Sequence, residues 1–224
     1  MSAQKGSAMT PEQFVEALEQ IDSPTVANAI ERLELRDTTE GYADLRLRRL
    51  VDQGKPMVGY AVTFKVDSTT PGMAADRTKL VDLLAAVEAS PKPCVVVCQE
   101  AGPRPERGCH MGDVIGTRLA SIGAVGVVSG SGIRDLDGIR SVGLTAYALG
   151  TVAGRGSWTI AEVGGLVEVA GLLVQPGDLL HGDGDGLVHV PVDQPERLLE
   201  LIDETMAKES DSRTRAGDGA DLAH

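Results

Sequence analysis

The residues best suited to chemistry are two short polar groups, Gly112-Asp113 and Arg134-Asp135, with twenty residues between them. Each stands where an apolar run gives way to helical spacing, the place where a strand-helix unit presents its loop. If Gly112-Asp113 opens a helix, the N–H groups of Val114 and Ile115 precede its first internal hydrogen bond. With the helix dipole they can hold a carboxylate. Arg134 offers a planar fork for the same kind of anion. Asp135 offers a hard oxygen for Mg²⁺ or Mn²⁺, ions that accept one protein carboxylate when water and substrate fill the other positions. On spacing alone the plainer reading is the commoner one, with Asp113 as a helix cap, Arg134-Asp135 as a solvated pair and the glycines as turn residues.

Other candidates carry weaker signals. His181, Asp183 and Asp185 in HGDGDG have metal-binding residue types, but Asp-Gly pairs between apolar runs more simply make a tight turn. Gly130 to Gly132 could cradle a phosphate, yet they lack the Gly-Lys-Ser/Thr ending of a P-loop and the full spacing of a dinucleotide fingerprint. Cys109-His110 are neighbours in sequence, and adjacent side chains usually diverge. The three cysteines include no Cys-x-x-Cys pair, which argues against a disulfide framework or structural zinc.

Positioning such residues requires alternating strands and helices. Thr10-Pro11-Glu12-Gln13 predicts a capped helix to about Glu19, and Ser23-Pro24 a second one with Val26, Ile30 and Leu33 as its stripe. Strict alternation predicts a strand over 57–68, with Val58, Tyr60, Val62, Phe64 and Val66 on one face. A helix near 76–89, the strand CVVVC, a Gly/Pro loop, a helix from Gly112, the strand AVGVV, a glycine loop SGSGIRD, a helical turn through Ile139 and a strand around LTAYAL follow. This alternation indicates a mixed α/β fold. Beyond residue 160 short strands dominate, and a helix near 194–208 carries Leu198, Leu201, Ile202 and Met206. Residues 1–9 are expected to be a flexible lead, 10–208 one domain, and the polar stretch 209–224 a disordered tail.

Composition narrows the partners. A net charge of -12 repels phosphate backbones and anionic lipid, and 3% aromatic content leaves no stacking platform for bases, so no direct nucleic-acid contact is expected. No run of eighteen apolar residues and no secretion-signal core occurs, which predicts no membrane association and a cytoplasmic location.

The stretch GDVIGTRLASIGAVGVVSGSGIRDLDGIRSVG resembles the signature of the RraA-like family, whose aldolase members carry Gly-Asp, twenty residues and Arg-Asp. SPTVANAIERL is similar to that family's early helix and VQPGDLLHGDGDGLVHVP to its closing β-segment, so the likeness spans roughly residues 20 to 206. It implies an α/β/β sandwich with a swivelling-β-type core, assembled as a homotrimer or a hexamer of trimers. The implied reaction is divalent-metal-dependent class II aldolase cleavage of 4-hydroxy-4-methyl-2-oxoglutarate or 4-carboxy-4-hydroxy-2-oxoadipate to pyruvate, with oxaloacetate decarboxylation beside it. Carried over by position, Gly112, Asp113, Val114 and Ile115 form the substrate-binding turn, Arg134 binds the pyruvoyl group and Asp135 ligates the metal. Asp113 would orient the water that acts as acid or base. Glu31 is a candidate contributor to a neighbouring subunit's site. There are two departures from the pattern: Gly130, Ser131, Gly132 and Ile133 stand where the family commonly has Asp-Gly and two further residues, and Asn28 replaces an aspartate.

The resemblance also implies an alternative of another class, because some family members are non-catalytic protein-binding regulators of ribonuclease E. A pure binding protein has no chemical reason to keep the Gly-Asp and Arg-Asp arrangement. A methyltransferase role, also attached to the family, finds no glycine-rich motif for S-adenosylmethionine here. No lysine lies in the signature, which favours metal over Schiff-base chemistry, with Lys65 and Lys79 as the remaining amines to place.

Overall fold

The computed structural model describes residues 9–217. Two helices open the chain: α1 (Pro11–Leu18), closed by the reciprocal Thr10–Gln13 capping box, and α2 (Ser23–Glu31), capped by Asp22 through the Thr25 N–H. The cap of α2 lies one residue before the expected Ser23, whose hydroxyl is used elsewhere. There follow β1 (Arg48–Val51), β2 (Met57–Asp67), α3 (Leu80–Ala89), β3 (Cys94–Glu100), β4 (Cys109–Met111), α4 (Asp113–Ser121), β5 (Ala124–Ile133), α5 (Leu136–Ser141) and β6 (Thr145–Thr151). The last part is β7 (Thr159–Val163), β8 (Val167–Val169), β9 (Leu172–Val174), β10 (Leu179–Gly182), β11 (Leu187–Val190) and α6 (Pro195–Gly217).

The main sheet runs β1-β6-β5-β3-β2-β10-β11, with β4 added to β5 and β7 to β2. Its centre, β2, β3, β5 and β6, is parallel. Parallel strands need crossovers, and α3, α4 and α5 supply them. Alternation along the strands then sorts the core into two layers. Val62, Phe64, Val66, Val96 and Val127 face the helices, meeting Leu83, Val87, Leu119 and Ile139. Val95, Val97, Val128 and Tyr147 face the other way, onto the β8–β9 hairpin with Val167, Val169, Leu172 and Val174. Helices, sheet and hairpin make the expected α/β/β layering. A third cluster joins Phe14, Leu18, Val26, Ile30, Leu198 and Ile202 to Val58, Leu179 and Val188, so α1, α2 and α6 cover one end of β2, β10 and β11.

Three expectations change. The SGSG segment is not a loop: β5 continues through it to Ile133, although its register against β6 shifts between Ser129 and Gly132. The closing helix does not stop at 208 but runs to Gly217, through residues expected to be tail. Once a docked helix exists, extending it fixes one residue per hydrogen bond, so even a polar segment of mixed propensity continues it. Glu209 and Arg213 pair along that extension. Met206 is half exposed, and Thr205 takes the inward position instead. The expected lead at 1–8 and tail at 218–224 lie outside the described residues. Within them, no helix is long and apolar enough to cross a membrane.

Candidate functional site

The C-terminal ends of the four parallel strands converge on one cavity of about 230 Å³. The segment after β2 brings Arg77, the segment after β3 brings Cys109 to Ile115, the turn after β5 brings Arg134 and Asp135, and the segment after β6 brings Arg155 and Trp158. Parallel sheets place ligands here because each strand ends in a loop that aims the next helix's N-terminus at a shared crevice. Gly112, Asp113, Val114, Ile115, Arg134 and Asp135 are therefore brought together, all of them lining this cavity.

Backbone pairing sets their separation. Short β4 lies beside the end of β5, and the Arg134 N–H donates to the Met111 carbonyl at 3.0 Å. Gly112 is the residue that permits the approach, since a Cβ there would stand 2.7 Å from Asp135 Oδ2. Gly138 does the same for Asp113, whose Cβ lies 2.5 Å from where an alanine methyl would be.

Helix α4 begins as the sequence predicts, with Gly112 as its N-cap and the first ladder bond from the Gly116 N–H to the Gly112 carbonyl at 3.0 Å. One detail differs. The Val114 N–H is taken by the neighbouring Asp113 carboxylate at 2.7 Å, which leaves Ile115 as the better placed of the two amides for a ligand. Val114 instead exposes its side chain at the rim.

Asp135 occupies the N-cap position of α5 without capping it. Its backbone is left-handed, with φ 57° and ψ 44°, and its side chain makes no bond to the helix's N–H groups. Aspartate tolerates this conformation better than most residues, but it is still an uncommon one. Among the described residues the carboxylate meets only Arg134, Nε to Oδ2 at 3.2 Å. The terminal nitrogens of Arg134 have no hydrogen-bond partner among the described residues, so the fork remains available for an anion.

Among the described residues no group of three or more His, Cys, Asp or Glu side chains converges to cage a metal ion. The pocket offers a cation the hard oxygens of Asp135 and Asp113. Its thiol is disfavoured, because burial pushes the Cys109 group up more than the Arg134 charge pulls it down. That donor set fits Mg²⁺ or Mn²⁺ held by one carboxylate with water and substrate oxygens, and does not fit a zinc cage.

Of the remaining candidates only Cys109 and His110 border the pocket, and none forms a second cluster in it. His181 is fully buried on β10, its Nδ1 3.0 Å from Ser23 Oγ and its Nε2 near the carbonyls of Leu18 and Ile21. Asp183 accepts the N–H groups of Ser23 and Asp185, each at 2.8 Å, so HGDGDG is a turn between β10 and β11. Cys109 and His110 diverge, the thiol toward the Met111 carbonyl and the imidazole toward Glu100 and Ser129. Lys65 pairs with Glu162, Lys79 donates to the Ala161 carbonyl, and among the described residues no lysine lines the cavity. Glu31 lines a separate groove within one chain, and Asn28 bonds Glu209 of α6.

Sequence reasoning missed Arg77, Arg155 and Trp158. The available signal was that loops following successive parallel strands each carry an arginine. Neither Arg77 nor Arg155 is paired with a carboxylate among the described residues, despite the chain's acidity. Gly156 brings their loops together, since a Cβ there would stand 1.9 Å from the Ser68 carbonyl.

Comparison with known proteins gives the family and the fold. The family model RraA-like (Aldolase/RraA) matches residues 23–189. A Halalkalibacterium halodurans protein, named provisionally as a 4-hydroxy-4-methyl-2-oxoglutarate aldolase, is 26% identical over 204 residues, covering 88% of this chain and 89% of that one. Streptomyces coelicolor RraAS2, described as an unusual member of the RNase ES inhibitor RraA protein family, superposes with a TM-score of 0.70 at 26% identity, over 94% of this chain and 98% of that one. A structure described among novel cellulases from gut-associated microbes also reaches 0.70, over 96% and 91%, but at 17% identity it shares the fold alone. The matched span holds Gly112-Asp113, Arg134-Asp135 and the strands that join them, and the chain belongs to the RraA-like family.

Proposed function

We propose that this chain is a divalent-cation-dependent lyase that cleaves 4-hydroxy-2-oxo diacids to pyruvate and decarboxylates oxaloacetate at the same site. The observation that carries the reading is the meeting of an uncapped Asp135 carboxylate, the open fork of Arg134 and the leading turn of α4 in one cavity. The provisional name of the H. halodurans relative points the same way.

The chemistry asked of the site is to stabilise negative charge that develops on the 2-oxo oxygen as the bond between C3 and C4 breaks. A divalent cation at Asp135 would supply Lewis-acid polarisation of that oxo group. Arg134 donates to the same oxo-acid, and its pull strengthens as charge builds. The Ile115 N–H and the α4 dipole hold the adjoining carboxylate. Asp113, with one oxygen held by the Val114 N–H, directs the other at a water that takes the C4 hydroxyl proton and later returns one to C3. Arg77 and Arg155 face the far carboxylate of a diacid. That no lysine among the described residues lines the cavity favours this route over an imine.

A second reading is supported by RraAS2, whose description places it in a family of ribonuclease inhibitors. The deciding experiment is pyruvate release from a panel of 4-hydroxy-2-oxo diacids and oxaloacetate, with Mg²⁺, Mn²⁺ or chelator. Metal-dependent release on at least one substrate is expected. Its absence throughout, together with slowed ribonuclease E turnover on adding the purified chain, would favour the binding role.

A further inference from the structure

Beneath the cavity lies a buried polar cluster that the reaction does not use. Glu100, at the end of β3, is the anchor. Its Oε1 accepts the N–H groups of Ser68 at 2.9 Å and Gly102 at 2.8 Å, and its Oε2 accepts the Ser68 hydroxyl and faces His110 Nε2 at 3.1 Å. Burial acts to raise this carboxyl, but the His110 and Ser68 hydrogen bonds outweigh it and the net shift is downward. An ionised carboxylate only accepts, so Nε2 carries a proton toward it. On the ring's other side Nδ1 lies 2.9 Å from Ser129 Oγ, which also accepts the Ser131 N–H at 3.2 Å and has the Gly132 carbonyl at 3.4 Å. His110 and Ser129 are almost wholly buried.

The cluster sits where backbone pairing lapses. Strand β4 has only three residues, its register against β5 shifts between Cys109 and Met111, and β5 itself shifts against β6 between Ser129 and Gly132. Side chains take over there. Ser68 Oγ receives the Cys109 N–H at 3.2 Å, Glu100 and Ser129 hold the His110 ring, and Trp158 Nε1 donates to the His110 carbonyl at 3.0 Å. The packing leaves no slack: a Cβ on Gly108 would stand 2.3 Å from Glu100 Oε2 and 2.4 Å from Ser131 Oγ. Two residues past His110 comes Gly112, and two past Gly132 comes Arg134.

We propose that His110 is a positioning residue, and that the Glu100–His110–Ser129 chain sets the offset between the Gly112–Ile115 turn and the Arg134-Asp135 pair. A buried hydrogen-bonded chain can do this because each member has lost its water partners, so any shift leaves a polar atom unpaired. The proposal rests on the functional reading above only in taking those two segments to bind an oxo-acid.

Trp158 makes the test direct, since it is the sole tryptophan, lines the cavity and bonds the His110 carbonyl. Ser129→Ala cuts the chain on one side. Glu100→Gln preserves the shape and lets the amide donate to His110 Nε2, which moves the ring proton to Nδ1. Emission, thermal unfolding and titration with oxalate in Mg²⁺ would be measured on the full chain. Ser129→Ala is expected to keep one cooperative transition, red-shift Trp158 and weaken oxalate on the order of tenfold or more. Glu100→Gln is expected to fall between it and the parent.

Unchanged emission and affinity in both variants would overturn the proposal. So would lost affinity with unchanged emission, which would put Ser129 in the binding surface, or loss of the cooperative transition in both, which would make the cluster a stability element. A parent chain that binds no oxalate would defeat the functional reading instead, while the emission comparison would still decide whether the chain of side chains holds β4.

Discussion

Two regions of this molecule are written in nearly the same residues and do different things. The turn between β10 and β11, HGDGDG, and the facing ends of β4 and β5 both combine glycine with aspartate beside a buried histidine. At the hairpin the Asp183 carboxylate is satisfied by backbone donors. Asp183 takes two backbone N–H groups and His181 ties β10 to the end of α1. At the cavity Asp135 takes no backbone N–H, although it stands at the start of a helix that offers several. A carboxylate saturated by the backbone is structure; one held back from it by a left-handed turn keeps its lone pairs for something else.

Substitutions can break that comparison, and the largest effects belong to the cavity. Asp135→Ala is expected to remove activity together with any response to added Mg²⁺ or Mn²⁺, and a variant still stimulated by metal in the pyruvate assay would move the ligand elsewhere. Arg134→Lys should lower turnover by on the order of 10²–10³, since a point charge replaces a planar fork where charge develops. Steady-state kinetics near the parent's would remove Arg134 from its role.

A smaller effect sharpens the picture of the substrate. Arg77→Ala should raise KM about tenfold for a diacid, leave kcat alone and leave KM for a 4-hydroxy-2-oxo monoacid unchanged. Equal losses on both substrates would mean that Arg77 does not read the second carboxylate. The hairpin should show the opposite profile. Asp183→Asn keeps the turn's shape but weakens its charge-assisted bonds, so unfolding should cost about 1–2 kcal/mol less while turnover stays at the parent's level. A kinetic defect without a stability defect would reverse the assignment of the two regions.

Much of this was legible beforehand, and for identifiable reasons. The capping box at Thr10–Gln13, the alternation over 57–67 and the apolar run at 94–98 are local signals, and the corresponding elements form there. Gly112-Asp113 and Arg134-Asp135 adjoin helix starts, but it was the family resemblance, not that position, that singled them out. Segments without such a signal were misread. The SGSG segment reads as a loop by its glycines, yet pairing on both sides carries β5 through it. The extension of α6 has no apolar stripe to announce it. Arg77 and Arg155 sit in segments whose composition says only that they are exposed, and their role depends on which strands end side by side.

The sequence by itself determined the elements, the two-sided burial of the sheet and the types of group available to the cavity, because those follow from backbone preference and the spacing of apolar side chains over a few residues. Tertiary structure decided which groups share a space. Strand order placed four loop ends together, a missing Cβ at Gly112 let Asp135 close on the α4 turn, and buried bonds from Glu100 and Ser129 replaced pairing that β4 is too short to supply. Such relations join residues tens of positions apart, and no local preference encodes them: they are fixed by close packing and by the cost of leaving a buried polar atom without a partner.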